Sequence, residues 1–216
     1  MSKEIYFFSG LGADERVFQF LNPEGCKPIF IRWIRPEENE PVERYASRIL
    51  PQIKSTKPVL VGLSFGGIVA IEIARLIETE KVILISSVKT RNEIPYYLRL
   101  TGNFYLHKIL PAWFYKKAKR PAFWFFGTES QTEEELLSSI IDDTDWHFAK
   151  WATDEFLHWK NAAPISNVIH VHGTCDRILP YRFVKADIAV NHGGHFMVVS
   201  KGSKLSEILT KILRQS

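Results

Sequence analysis

Apolar residues along this chain fall into two alternating rhythms. Short runs rich in β-branched and aromatic residues occur at Ile5 to Phe8, Pro28 to Trp33, Val59 to Val61, Val82 to Ile85, Val168 to Val171 and Ile188 to Val190, and each has the length of a buried strand. Between them, Val42, Tyr45, Ala46, Ile49, Leu50 and Ile53 recur at helical spacing, with Pro51 placed to end or kink that helix in its last turn. Leu205, Ile208, Leu209, Ile212 and Leu213 repeat the helical spacing near the C-terminus. Continuous apolar strands alternating with helices predict an α/β fold. Its sheet is mostly parallel and doubly wound, of about six strands, with both faces covered and right-handed crossovers.

The alternation breaks between about Lys89 and Lys160, where two strand signals are separated by a stretch too long to be a bare loop. Five of the six tryptophans lie there, and Thr132 with Glu135 reads as a capping box opening a helix through Leu136, Leu137, Ile140 and Ile141. Residues 89–160 are therefore expected to form a helical cap inserted over one edge of the sheet, and residues 1–88 with 161–216 the core. No repeat, low-complexity tract or Gly/Ser linker divides the chain further.

Composition narrows this picture only a little. A chain of 216 residues, 45% hydrophobic and 24% charged, suits one globular domain with an insertion and neither a disordered nor a membrane-spanning protein. The formal charge of +4 comes with no zinc-finger, helix-turn-helix or RNA-binding pattern, so neither nucleic acid nor membrane is expected as a partner. The two cysteines, Cys26 and Cys175, are far apart and lack metal-ligand spacing. They predict no disulfide framework and no metal site, and favour a reducing compartment. The first residues lack the apolar core and cleavage signature of a signal peptide, so a cytoplasmic location is expected.

The sharpest chemical signal is Gly62-Leu63-Ser64-Phe65-Gly66-Gly67, directly after the strand Val59 to Val61 and before a helix expected to begin near Ile68. The letters of a G-x-S-x-G pattern are only moderately specific, but strand before and helix after sharpen them. A turn that tight needs glycines at its flanks and leaves its serine exposed at the strand's carboxyl end, where a helix N-terminus favours developing negative charge. A serine hydroxyl is a weak nucleophile and needs a base, which needs an orienting acceptor. Asp176 follows the strand Val168 to Val171, at the sheet edge where parallel folds build sites. His195 lies in the glycine-rich run Asn191-His192-Gly193-Gly194-His195, loose enough to swing an imidazole toward Ser64.

Each of these residues has a plainer reading. Ser64 can belong to a phosphate-binding turn, but the Lys-Ser/Thr and G-x-G-x-x-G companions of such turns are missing. Asp176 can be a turn-forming aspartate, and its rival Asp187 falls near the start of the last strand. His192 competes locally with His195, whereas His170 and His172 lie on or beside a strand as hydrogen-bonded structural residues. His107, His147 and His158 fall in the insertion as surface or packing residues. The aromatic cluster of the insertion serves as cap core and also supplies an apolar wall over Ser64.

Taken together, Ser9-Gly10-Leu11-Gly12, Gly62 to Gly67, Gly173 to Pro180 and Gly193 to Met197 resemble the α/β-hydrolase superfamily, in the order oxyanion loop, nucleophile, acid and histidine. The likeness covers nearly the whole chain and is nearest to small capped serine esterases. It implies Ser64 as nucleophile, His195 as general base and acid, and Asp176 as the carboxylate that fixes the imidazole. It also implies the backbone amides of Leu11 and Phe65 as oxyanion donors. Gly10, Leu11, Trp113, Trp124, Trp146 and Ile178 would contact a small-molecule acyl substrate, and no cofactor is implied. Aspartate-nucleophile relatives, the haloalkane dehalogenases and epoxide hydrolases, are disfavoured by Ser64. Two departures stand out. Many relatives carry histidine at the position of Ser9, and the first strand here matches the family's third, so its leading antiparallel hairpin is expected to be absent.

Overall fold

The computed structural model of the protein describes residues 3–103 and 119–215. Six strands form one sheet: β1 (Lys3–Phe8), β2 (Cys26–Phe30), β3 (Val59–Leu63), β4 (Lys81–Ile85), β5 (Val168–Gly173) and β6 (Ile188–Val190). Every pairing between them is parallel, in the order β2-β1-β3-β4-β5-β6. The chain moves outward from β1 to β2, then returns to place β3 on the other side of β1 and continues in that direction. This makes β1 and β3 the neighbours at which the winding reverses, and loops leaving their carboxyl ends face a natural crevice.

Strand alternation divides the core into two layers. Tyr6 and Phe8 of β1, Leu60 of β3 and Val82 and Leu84 of β4 face one side. Here they meet Val42, Tyr45 and Ile49 of helix α1 (Val42–Ile49), Ile68 and Ile71 of α2 (Phe65–Ala74), and Phe148 further along the chain. Ile5, Phe7, Val59, Val61, Ile83 and Ile85 face the other side, with Val17, Phe18 and the C-terminal residues Leu205, Leu209 and Ile212. Burial on both faces explains why the strands read as unbroken apolar runs.

Several elements differ from the pattern in ways that have local causes. The second strand lies earlier and is shorter than Pro28 to Trp33. Only Ile31 N still bonds to the sheet, through Phe7 O at 2.9 Å, before the chain turns away. Helix α1 ends at Ile49 and tightens into a 3-10 turn at Leu50–Gln52, as a proline that cannot donate in the helix interior requires. Between β4 and β5 lie α3 (Tyr96–Asn103), α4 (Lys119–Phe126), α5 (Gln131–Asp143) and α6 (Trp146–His158). Helix α5 is capped two residues earlier than Thr132. Ser130 Oγ accepts from Glu133 N at 3.4 Å, and the Glu133 carboxylate accepts from Glu129 N at 2.7 Å. The short α7 (Met197–Ser200) and the long α8 (Gly202–Arg214) close the chain.

Candidate active site

The turn from β3 into α2 is built by close backbone approach. The helix begins at Phe65, three residues before the expected start near Ile68, so Gly66 and Gly67 lie inside its first turn. A Cβ on Gly66 would sit 2.3 Å from Ser9 O, and one on Gly62 would sit 2.4 Å from the Cα of Gly67, so neither position admits a side chain without backbone movement. Ser64 itself adopts φ 52° and ψ −121°, a region that non-glycine residues enter only when their surroundings enforce it. Its amide donates to Ile85 O at 3.0 Å. Its carbonyl accepts from Ser87 Oγ at 2.7 Å and Gly67 N at 2.9 Å, which pins the strained residue on both sides.

Residues from three strand ends converge on this serine. His195 Nε2 lies 2.9 Å from Ser64 Oγ, and His195 Nδ1 lies 2.8 Å from Asp176 Oδ2. The other carboxylate oxygen of Asp176 accepts from the amides of Ile178 at 2.9 Å and Leu179 at 2.8 Å, so the loop after β5 fixes the carboxylate independently of the histidine. Asp176 and His195 are buried, and Ser64 is partly open. Burial alone would push the Asp176 carboxyl up. The facing imidazoles of His195 and His172 and the Leu179 amide outweigh burial and hold it below its ordinary value.

The loop carrying His195 is packed and not loose. A Cβ on Gly173 would meet Gly193 O at 2.2 Å, and one on Gly194 would meet Phe126 O at 3.0 Å. The glycines serve close approach to β5 and to the end of α4, and Phe196 N donates to Phe126 O at 2.9 Å. The Phe126 ring meets the His195 ring edge-on at 5.5 Å. His192 is exposed at φ 58°, with its amide on Thr174 Oγ1, and does not line the cavity at Ser64. Asp187 serves the sheet, accepting from His170 N at 2.7 Å and Lys89 Nζ at 3.0 Å.

Ser9 takes a supporting part in the loop after β1. Its hydroxyl donates to Ala13 O at 2.7 Å, and the Trp33 indole donates to the same carbonyl at 3.2 Å. Thr144 Oγ1 reaches Gly12 O at 2.9 Å and Ile140 O at 2.7 Å, tying this loop to α5. The ideal Cβ position of Gly10 is 3.6 Å from Ser64 Cβ, so the loop passes beside the serine. Among the described residues, no hydrogen-bond acceptor faces the amide of Leu11 or of Phe65.

A cavity of about 210 Å³ opens onto Ser64 and His195. Gly10, Leu11 and Ile178, named above as substrate contacts, line it, together with Phe65, Val17, Leu63, Leu137, Ile140 and Ile141, whose place in the wall the sequence reading did not identify. The helical spacing of Leu137, Ile140 and Ile141 was the available signal. Trp124 and Trp146 do not line it. Trp124 is exposed, with the Arg177 guanidinium 4.4 Å above its ring, and Trp146 carries Lys150 at 5.3 Å, so both rings are taken up by cations outside the cavity. Trp113 and His107 lie outside the described residues. Among the described residues, no helix is long and apolar enough to cross a membrane.

Comparison with known proteins gives this architecture a family. Structures resembling the chain include an esterase from Exiguobacterium antarcticum at 16% identity and TM-score 0.75, covering 99% of this chain and 92% of that one. A bromoperoxidase from Bacillus anthracis matches at 16% identity and TM-score 0.74, covering 99% and 92%. A meta-cleavage product hydrolase from Pseudomonas fluorescens matches at 15% and 0.69, covering 99% and 91%. At such identities the likeness speaks for the fold alone. No curated protein sequence matches the chain. A sequence profile described as the alpha/beta hydrolase family matches residues 7–205, and on that match the chain belongs to the alpha/beta hydrolase family.

Proposed function

We propose that this protein is a serine hydrolase that cleaves a small or medium carboxylic ester of uncharged acyl acids through an acyl-enzyme on Ser64. The observation that carries the reading is the unbroken contact from Asp176 Oδ2 to His195 Nδ1, 2.8 Å, and from His195 Nε2 to Ser64 Oγ, 2.9 Å, at the mouth of an apolar cavity. As Ser64 Oγ attacks the ester carbonyl, His195 Nε2 takes its proton, and the Asp176 carboxylate stabilises the resulting imidazolium. The tetrahedral oxyanion settles between the amides of Leu11 and Phe65, with the start of α2 adding its dipole. His195 then passes the proton to the leaving alcohol. In the second half the same nitrogen activates water and releases the acid.

The cavity bears on the substrate. At about 210 Å³ it has room for roughly seven water volumes of about 30 Å³ each, which suits a short or medium acyl group. Among the described residues, no Lys, Arg, Asp or Glu lines it, and the one hydroxyl besides Ser64, that of Thr144, is already occupied with Ile140 O and Gly12 O. An acyl group carrying a charge would enter without a partner and bear its full desolvation cost. The test is hydrolysis of a graded series of neutral esters, thioesters and amides alongside dicarboxylate half-esters. Neutral short-chain esters are expected to turn over best, with the rate falling by roughly 10⁴-fold or more in Ser64→Ala. Equal turnover by Ser64→Ala, or a preference for the charged half-esters, contradicts the reading.

A further inference from the structure

Behind Asp176 stand two histidines to which the mechanism above gives no task. His170 and His172 of β5 have no exposed surface, and the direction of every proton between them can be worked out. His172 Nε2 lies 2.8 Å from Leu179 O, which can only accept, so the proton of His172 sits on Nε2. Its Nδ1 is then a lone pair, and His170 Nε2, 3.0 Å away, must donate to it. This leaves His170 Nδ1 buried with no hydrogen bond of good geometry, although the Ser87 backbone approaches the His170 ring. Burial pushes both imidazoles toward their neutral forms, which this one-way chain of donors requires.

The chain of donors ends at the site. The same His172 Nε2 lies 3.4 Å from Asp176 Oδ2, the oxygen that faces His195. At that distance the contact is an electrostatic supplement to the bond with Leu179 O and no full hydrogen bond of its own. The N–H is directed at Leu179 O, but it nevertheless places the positive end of its dipole, in a dry interior, close to the oxygen that orients the proposed base. We infer that His172, backed by His170, is a positioning residue for the reaction, holding Asp176 Oδ2 so that His195 keeps its Nδ1 proton and presents Nε2 to Ser64. The inference rests on the serine-hydrolase reading. The groups that face His172 are His170 on its own strand, Asp176 and Tyr181 after it, and His195 from the loop after β6. Lys89 and Asp187 lie beyond His170.

Two amide substitutions separate positioning from space-filling. In His172→Asn the side-chain amide occupies the place of Nδ1 and can still meet His170, but nothing reaches Asp176. In His172→Gln the amide reaches the place of Nε2 and restores the donor. His172→Asn is expected to lower kcat/KM about tenfold, with His172→Gln close to wild type. With one donor gone, more of the Asp176 charge faces the imidazolium, so the acid limb of kcat/KM moves to higher pH in His172→Asn and returns in His172→Gln. A role confined to packing would lower stability in both variants and leave that limb in place. Two NMR readouts need no substrate. The low-field proton of His195 Nδ1 should move further downfield in His172→Asn, and nitrogen shifts in the wild-type protein should show His172 protonated on Nε2. An Nδ1-protonated His172 overturns the inference even if His172→Asn fails to fold, as does a folded His172→Asn with the wild-type low-field proton and acid limb. Failure of the serine-hydrolase reading would look different, as a wild-type protein inert toward every ester with these NMR signals intact.

Discussion

The two sides of the cavity are made of different materials. The rim that carries Ser64, Asp176 and His195 consists of loops leaving parallel strands, and it is held by polar contacts that are buried or partly buried: backbone amides on Asp176, Ser87 on the Ser64 carbonyl, Ser9 and Trp33 on Ala13 O. The facing wall, formed by Leu137, Ile140 and Ile141 of α5 with Phe126 of α4, presents apolar side chains to the cavity, and its polar ties, such as Thr144 Oγ1 on Gly12 O, lie at the ends of its helices. Polar contacts fix a geometry sharply and tie it to protonation. Apolar packing fixes a volume and is indifferent to pH. On the proposed reading, chemistry belongs to the rim and choice of substrate to the wall.

The largest expected effect tests the rim's link to protonation. Burial, with His172 and Lys89 nearby, pushes the His170 imidazole from its ordinary 6.5 down to about 3. A histidine whose folded value is lowered stabilises the fold above its unfolded value, and that contribution is lost as pH falls from about 6.5 to about 3, because only the unfolded chain takes the proton there. Each pH unit in this window costs ~1.4 kcal/mol from this group. Denaturant unfolding of wild type and His170→Gln between neutral and acid pH should therefore show a shallower loss in the variant. Identical slopes would mean that the buried histidine of β5 behind the rim does not couple to pH, and the contrast with the wall would weaken.

The wall predicts a smaller effect of a different kind. Ile141→Phe narrows the apolar end of the cavity without touching a polar group, so the longest acyl chains should lose about tenfold or more in kcat/KM relative to the shortest. The acid limb of the rate should stay in place. A uniform loss across all chain lengths, or a displaced limb, would show that the two sides are not separable.

The same contrast decides what was legible in the chain. The rim could be read because its signals are local: the glycines around Ser64 are dictated by contacts of 2.3 and 2.4 Å that no side chain permits, and Asp176 and His195 follow runs that announce strands. Even here the glycines before His195 read as looseness, when they mark backbone packed against Gly173 and Phe126. The wall was only partly legible. Phe123-Trp124-Phe125-Phe126 is apolar all round, so its spacing does not tell which face turns inward. In the structure Phe123 and Phe126 pack on the core, with Phe126 facing His195, while Arg177, distant in sequence, covers Trp124 with its guanidinium and donates to its carbonyl. The shift of the α5 cap from Thr132 to Ser130 has a simpler origin, since the run Ser130-Gln131-Thr132-Glu133-Glu134-Glu135 offers two overlapping capping boxes and the longer helix is the one formed.

The central claim is that His195 and Asp176 make Ser64 a nucleophile unlike any other hydroxyl in the chain. Incubation with a fluorophosphonate, followed by intact-mass measurement and peptide mapping, tests it directly. The account predicts a single adduct on Ser64, abolished in Ser64→Ala and strongly slowed in His195→Ala. A folded wild-type protein that remains unlabelled, or one labelled equally fast in His195→Ala, would contradict it.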